Sequence, residues 1–518
     1  MTLQNKINLI TYPDSLGNNL LELHYVLRRY LTQAIGGVHI LPFYPSSADR
    51  GFAPLTYDEV DPAFGTWEDI EMIGRDFDLT FDFMVNHISR QSVFFQDYLK
   101  KGPDSEYADM FLSFNKLSPT GEISEEDLAK VYTRKPRPPY TVIERADGSR
   151  EKIWCTFDYE QIDLDLCSPV TQEVVRDFLI RLARTNAKMI RMDAIAYATI
   201  RIGTNCFFLE PDIWELLEWL KEYVTPFDTV MLPEVHEQYK YHLKFAAKGY
   251  WTYDFALPML VLHTLYHHSS ERLRHWLQIC PRQQLTTLDT HDGIGVIDVE
   301  DLLAAEEIEK TLSGLDEKGS NTRKIYSGPE YQNLDIYQVN CTYYSALECN
   351  DDSYIAARTI QFFAPGLPQV YYVGLLAGEN DIELVERTKN GRDINRHNYS
   401  LDEIKVEIQK PVVQRLLRLM EFRNSYPAFN GQFVIVEAPD DQLKLSWSQA
   451  PYHTTASIDL RNYSVQIEYY DRDQRIRPRE IDPGGGGSRD ESRRSRTARS
   501  RVSPSGAGRR RAGACGAD

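Results

Sequence analysis

Eight short apolar runs, separated by amphipathic or loop-rich stretches, constrain this chain more than any other feature. They are NLITY (8–12), GVHILPF (37–43), LTFDFMVNH (79–87), AKMIRMD (187–193), TVMLPE (229–234), YWTYDFAL (250–257), QLTTLDT (284–290) and PQVYYVG (368–374). Helical patterning fills most of the gaps, as in PVTQEVVRDFLIRLART and EPDIWELLEWLKEYV. Strand and helix patterns alternating eight deep predict an α/β fold, a (β/α)8 TIM barrel. Residues 88–168 and 294–350 are too long for plain connections and read as inserted subdomains. After about residue 430 the pattern becomes short alternating runs, GQFVIVEA, QLKLSWSQ, TTASIDL and SVQIEYYD, which predict a C-terminal antiparallel β domain. The expected organisation is a barrel over 1–87, 169–293 and 351–430, a B domain over 88–168 and a B′ domain over 294–350. A β domain over 431–483 and a tail over 484–518 complete it.

Composition limits the functional classes. The 518 residues are 42% hydrophobic and 26% charged, which suits a globular protein with a large core. A net charge of −18 argues against nonspecific binding to nucleic acid or an anionic membrane. An anionic substrate would need a local basic pocket against that field. No stretch approaches the roughly 20 uninterrupted apolar residues of a membrane span, and the start, MTLQNKINLITYPDSLG, lacks the pattern of a signal peptide. The seven cysteines are scattered without a CxxC pair, as expected of reduced thiols in a cytoplasmic protein. The tail opens GGGGS, and residues 489–518 hold nine arginines against three acids. It reads as a disordered basic tail that binds RNA or a partner, or as an artefact of cloning or reading frame, with no catalytic role.

The chemistry is carried by three acids. Asp193, Glu234 and Asp292 each follow an apolar run and precede a turn, in KMIRMDAIAY, VMLPEVHEQY and LTTLDTHDGIG. A carboxylate ending a buried strand is costly to desolvate, so it is paired or functional. In a barrel such positions collect at one face. Three acids there suit retaining glycoside chemistry, in which one bonds to the sugar and one shuttles a proton. Arg191, two residues before Asp193, should keep that carboxylate ionised. Taken singly, an Asp after a strand is more often a helix cap, and a His more often a structural group.

The motifs in which these residues sit resemble the α-amylase clan of retaining glycosidases, and within it the sucrose phosphorylase group. The clan motifs read DFMVNH (82–87), RMDAIAY (191–197), PEVHEQY (233–239) and TLDTHDGIG (287–295); the group traits include ITYPDSLG, DRGFAP, NLDIYQVN, QVYYVGLLAGENDIELV and GRDINRH. The resemblance spans about residues 3–475. It implies Asp193 as nucleophile, Glu234 as general acid/base and Asp292 as transition-state stabiliser, with Asp82 supporting the site. It implies that His87 and His291 hold glucosyl hydroxyls beside Arg191. Asp49 and Arg396 would clamp the far side of the ring as an ion pair, and Phe52 would wall the pocket. Tyr197, His236 and Gln338 would line the region of the cleaved bond. Leu334, Asp335, Tyr337 and Gln338 would hold the leaving sugar.

The implied reaction converts sucrose and inorganic phosphate to α-D-glucose 1-phosphate and fructose without cofactor or metal. Sucrose 6′-phosphate, glucosylglycerol and glucosylglycerate are the alternative substrates; relatives using sucrose 6′-phosphate carry histidine where Tyr337 stands. Preferring phosphate over water requires cationic groups near the acceptor. Arg134, Lys135 and Arg137 in VYTRKPRPPY are the candidates, although charge runs are usually solvated faces. The expected partners are small molecules, and the expected assembly a monomer or homodimer.

Overall fold

The computed structural model describes residues 3–133, 137–317, 338–470 and 475–479. Arg134, Lys135, Leu334, Asp335, Tyr337 and the tail assigned to 484–518 lie outside them. The described residues belong to one compact unit, Met1–Ile481.

The barrel strands are β1 Asn8–Thr11, β2 Gly37–Ile40, β3 Asp78–Met84, β4 Ala187–Asp193, β5 Val230–Pro233, β6 Thr252–Asp254, β7 Gln284–Thr286 and β8 Leu367–Tyr371. Each overlaps its predicted run. They form one parallel sheet in which every strand lies beside its neighbour in sequence, from β6 through β8 and β1 round to β5. The two end strands, β5 and β6, approach each other, so the barrel is nearly closed. The strands are buried on both faces, as parallel strands covered by helices must be. All but β4 end one to four residues sooner than expected, and two of them give way at once to other structure. β3 stops at Met84, and His87–Ser89 instead pairs antiparallel with Gln161–Asp163 inside the first insertion. β8 stops at Tyr371, where the chain turns into the helix Tyr372–Leu375.

The helices include α1 Pro169–Arg184, α2 Asp212–Val224, α3 Ala305–Glu317 and α4 Asp351–Phe363. α1 starts on a proline, which suits the first helical position, and buries Val175, Phe178, Leu179 and Leu182 at helical spacing. α4 is buried along its whole length from Ser353 onward. It carries Arg358, whose Nη2 donates to both oxygens of Asp289 at 2.9 and 2.7 Å. Both residues are fully buried, so the pair stands or falls together.

The C-terminal sheet is an antiparallel meander of β9 Gln432–Val436, β10 Gln442–Gln449, β11 Tyr452–Asp459, β12 Val465–Tyr470 and β13 Ile476–Arg479. Four strands match the expected runs. β13 was not expected, because IRPR is charged and contains Pro478; as an edge strand it tolerates both. The Trp447 indole donates to the Phe363 carbonyl at 2.8 Å, fixing the sheet to the end of α4.

Candidate active site

Strand register brings the acids together. Met84 pairs with Asp193 across β3 and β4, and Met192 pairs with Pro233 across β4 and β5. The Glu234 amide continues that ladder to the Met192 carbonyl at 3.1 Å. Asp193 and Glu234 therefore end adjacent strands on the same rim. A cavity of about 700 Å³ opens there, lined by Asp193, Glu234 and Asp292 together with Asp49, Phe52, His87, Tyr197, His236, His291, Gln338 and Arg396.

Arg191 organises the floor. Its Nη1 lies 2.6 Å from Asp82 Oδ1 and 2.7 Å from Asp193 Oδ1, and its Nη2 lies 3.7 Å from Glu234 Oε1. One guanidinium thus joins three carboxylates. Burial works against ionising Asp82, but His39 at 2.8 Å and Arg191 hold it down at about 2. Asp193 differs. Burial, with Glu234, Asp82 and Asp292 nearby, pushes its carboxyl up against the pull of Arg191. Arg191 favours ionised Asp193 as expected, but burial and the neighbouring acids outweigh it, and the arginine is divided between Asp82 and Asp193. The residue after Asp193, Ala194, takes a left-handed conformation (φ 55°) for which a non-glycine residue needs external support. Its amide donates to Glu234 Oε2 at 3.1 Å.

His236 stands between the other two acids. Its Nε2 is 3.4 Å from Glu234 Oε1 and 3.7 Å from Asp292 Oδ2, and its ring stacks on Phe255 at 3.9 Å. Burial alone would lower His236, but Asp292, Asp298 and Glu234 outweigh it and raise it to about 9. Burial pushes His291 down to about 3, so its ring is neutral near pH 7. Asp292 is driven up by burial, yet His291, Arg392 and His236 hold it well below the usual carboxylate range. Among the described residues, the cations facing it at neutral pH are His236 and Arg392, the latter at 3.4 Å.

The walls are aromatic and amide-lined. Phe52 stacks parallel on His291, with 5.0 Å between ring centroids and 2° between the ring planes. The Phe52 carbonyl is 2.9 Å from both His87 Nε2 and the Gln161 amide. Asp49 and Arg50 have φ of 48° and 50°, and Gly51 follows at 109°. A Cβ on Gly51 would come within 2.6 Å of the Pro42 carbonyl. This strained turn presents Asp49 to the cavity, and Arg50 is locked over the Tyr12 ring at 3.9 Å. The expected Asp49–Arg396 ion pair is not formed. Asp49 Oδ2 is 3.9 Å from Arg392, while Arg396 donates from Nε and Nη2 to the His291 carbonyl at 3.1 and 3.0 Å. The Arg396 guanidinium is committed to the barrel wall, so Asp49 acts on it only at longer range.

On the side expected to hold the acceptor, Tyr197 packs edge-on to Phe157 and Phe207, both at 4.9 Å. The Tyr132 hydroxyl donates to Glu237 at 2.8 Å, tying the middle of the first insertion to the β5 loop. Gln338 Oε1 accepts the Gly293 amide at 3.3 Å. Arg137 is not brought to the cavity. Its guanidinium lies over the Tyr159 ring at 4.4 Å with all three nitrogens buried, beside Cys155 and the buried Asp163. An inward carboxylate and an aromatic face hold it away from the cavity.

Sequence reading missed His39, Gln161, Phe157, Arg392 and Asp298. His39 and Arg392 lie within recognisable motifs, but only the fold shows what they touch. Asp298 carried no signal at all. Among the described residues, no group of His, Cys, Asp and Glu is arranged to hold a metal ion.

Residues 29–335 match the family model of the alpha-amylase catalytic domain. The chain is 51% identical over 476 residues to the sucrose phosphorylase of Streptococcus mutans, covering 91% of this chain and 99% of that protein. It is 48% identical over 481 residues to the sucrose 6(F)-phosphate phosphorylase of Thermoanaerobacterium thermosaccharolyticum, covering 90% and 98%. The crystal structure of a sucrose 6F-phosphate phosphorylase from Thermoanaerobacter thermosaccharolyticum superposes with a TM-score of 0.89 at 46% identity, over 92% of this chain and 98% of that one. Barrel, acids at adjacent strand ends and near full-length identity agree: this chain belongs to the alpha-amylase family and, within it, to the sucrose phosphorylase group.

Proposed function

We propose that the protein transfers the glucosyl group of sucrose to inorganic phosphate, giving α-D-glucose 1-phosphate and fructose with retention. The observation that carries this reading is the pairing of Asp193 and Glu234 on one arginine at adjacent strand ends, with Asp292 joined to Glu234 through His236. In the first half-reaction Asp193 attacks the anomeric carbon. The bond to the fructose oxygen breaks, and Glu234 gives that oxygen its proton. Forming the β-glucosyl ester removes the charge of Asp193, and Glu234 is left as a carboxylate. Phosphate oxygen then attacks the anomeric carbon, the ester bond breaks, and Glu234 accepts the phosphate proton. Asp292, ionised throughout, stabilises the positive charge that develops on the ring.

The 48% identity to a sucrose 6(F)-phosphate phosphorylase supports a second reading, in which the leaving group is fructose 6-phosphate. Glucosylglycerol and glucosylglycerate are further alternatives. Incubation with phosphate and each of the four glucosides, quantifying α-glucose 1-phosphate, decides between them. Release of free glucose alone would leave a hydrolase. The described cysteines are all unpaired, which supports a reducing, cytoplasmic setting.

A further inference from the structure

Asp298 is a fully buried carboxylate that the double displacement does not use. It sits in the turn Ile297–Val299, and among the described residues no donor lies within hydrogen-bonding distance of either oxygen. The backbone wraps it closely: a Cβ on Gly295 would come within 1.9 Å of its Oδ2. Two buried histidines flank it. His236 Nδ1 is 4.0 Å from Oδ2, and His242 Nε2 is 3.9 Å from Oδ1. The His242 ring is oriented by Thr252, whose hydroxyl is 2.7 Å from Nδ1. An ionised carboxylate this deep requires a compensating cation nearby. Among the described residues, His236 also faces Glu234 on its own loop, Asp292 from the β7 loop and the Phe255 ring after β6. Arg191 reaches Glu234 from β4.

That arrangement answers a difficulty in the second half-reaction. Phosphate arrives as an anion at a site where Glu234 and Asp292 are both carboxylates. Water, being neutral, meets no such repulsion. A cation between the two acids tilts the competition toward phosphate. We propose that Asp298 is a positioning residue that holds His236 as an imidazolium between Glu234 and Asp292, and thereby sets the preference for phosphate over water. This rests on the phosphorylase reading of the site. The elevated titration of His236 agrees with it.

The test has two readouts. In the first, α-glucose 1-phosphate and free glucose are measured from pH 6 to 9 at fixed phosphate. Asp298→Asn should lower their ratio roughly tenfold near pH 8 while slowing fructose release less. His236→Gln should show the same low ratio, and adding Asp298→Asn to it should change nothing further. The second readout is the His236 ring titration by NMR, assigned through His236→Gln. Its midpoint should lie well above 7 in the wild-type protein and fall by about one unit or more in Asp298→Asn. A wild-type midpoint below 7, or a ratio and midpoint untouched by Asp298→Asn, overturns the proposal. If the wild-type protein makes only free glucose at every phosphate concentration, the phosphorylase reading fails instead. The ring titration then still decides whether Asp298 holds His236 charged.

Discussion

Each site residue owes its state to specific neighbours. Asp82 and Asp193 share Arg191, yet the first is held at about 2 and the second is pushed up. The difference is His39, which pairs with Asp82 and has no counterpart beside Asp193 among the described residues. Asp193→Asn should abolish turnover while leaving the circular dichroism spectrum unchanged, because an amide cannot form the glycosyl ester. The wild-type product should be the α-anomer, and NMR detection of the β-anomer would rule out double displacement. Glu234→Gln should be rescued best on glucosyl fluoride, whose leaving group needs no proton. Arg396→Ala removes both donors to the His291 carbonyl, letting the neighbouring Asp292 drift. Displacement of a catalytic group by about 1 Å costs about 100-fold. A loss of kcat/KM of that order is expected on every glucoside, whatever its leaving group. A change confined to leaving-group preference would place Arg396 elsewhere.

At the scale of elements, the loop after β7 is held from three sides. Arg358 on α4 pairs with Asp289, the Asn395 amide donates to the Thr290 carbonyl at 3.1 Å, and Arg396 holds His291. Gly374 permits this. A Cβ there would meet Asp289 Oδ2 at 2.0 Å and Arg358 Nη2 at 2.1 Å. Gly374→Ala should therefore force the buried pair apart. Breaking such a pair typically costs about 3–5 kcal/mol, and calorimetry should show a clearly lower Tm with reduced activity. An unchanged Tm would mean that the helix Tyr372–Leu375 shifts freely enough to absorb the methyl. The Arg137 element reads differently from its sequence. Flanked by prolines in a basic run, it suggested an anion site, but it packs on Tyr159. Arg137→Ala should leave the ratio of phosphorolysis to hydrolysis nearly unchanged, and a marked fall in α-glucose 1-phosphate would return it to the acceptor site.

For the molecule as a whole, buried histidines link stability to pH in opposite directions. His236, raised to about 9, contributes stability that is complete below its unfolded value of 6.5 and is lost as pH rises through 9. His291 and His263, lowered to about 3 and 4, contribute stability present above 6.5 and lost as pH falls. The Tm should fall on both sides of neutrality, and in His236→Gln the decline between pH 7 and 9 should be shallower. Removing residues 484–518 should leave activity unchanged; a loss would give the basic tail a role that its composition alone does not reveal. The sequence by itself determined the barrel, because eight apolar runs interleaved with helices have few other ways to be buried. It also singled out the three acids as candidates, because carboxylates at or just beyond the ends of buried strands are paired or functional. Tertiary structure alone decided which cation serves which carboxylate. Asp49 meets Arg392 rather than Arg396, Arg137 turns inward, and Asp298 lies between two histidines. Burial patterns are written in local periodicity. Charge pairing depends on distances between residues far apart in the chain, and these exist only once the barrel has closed.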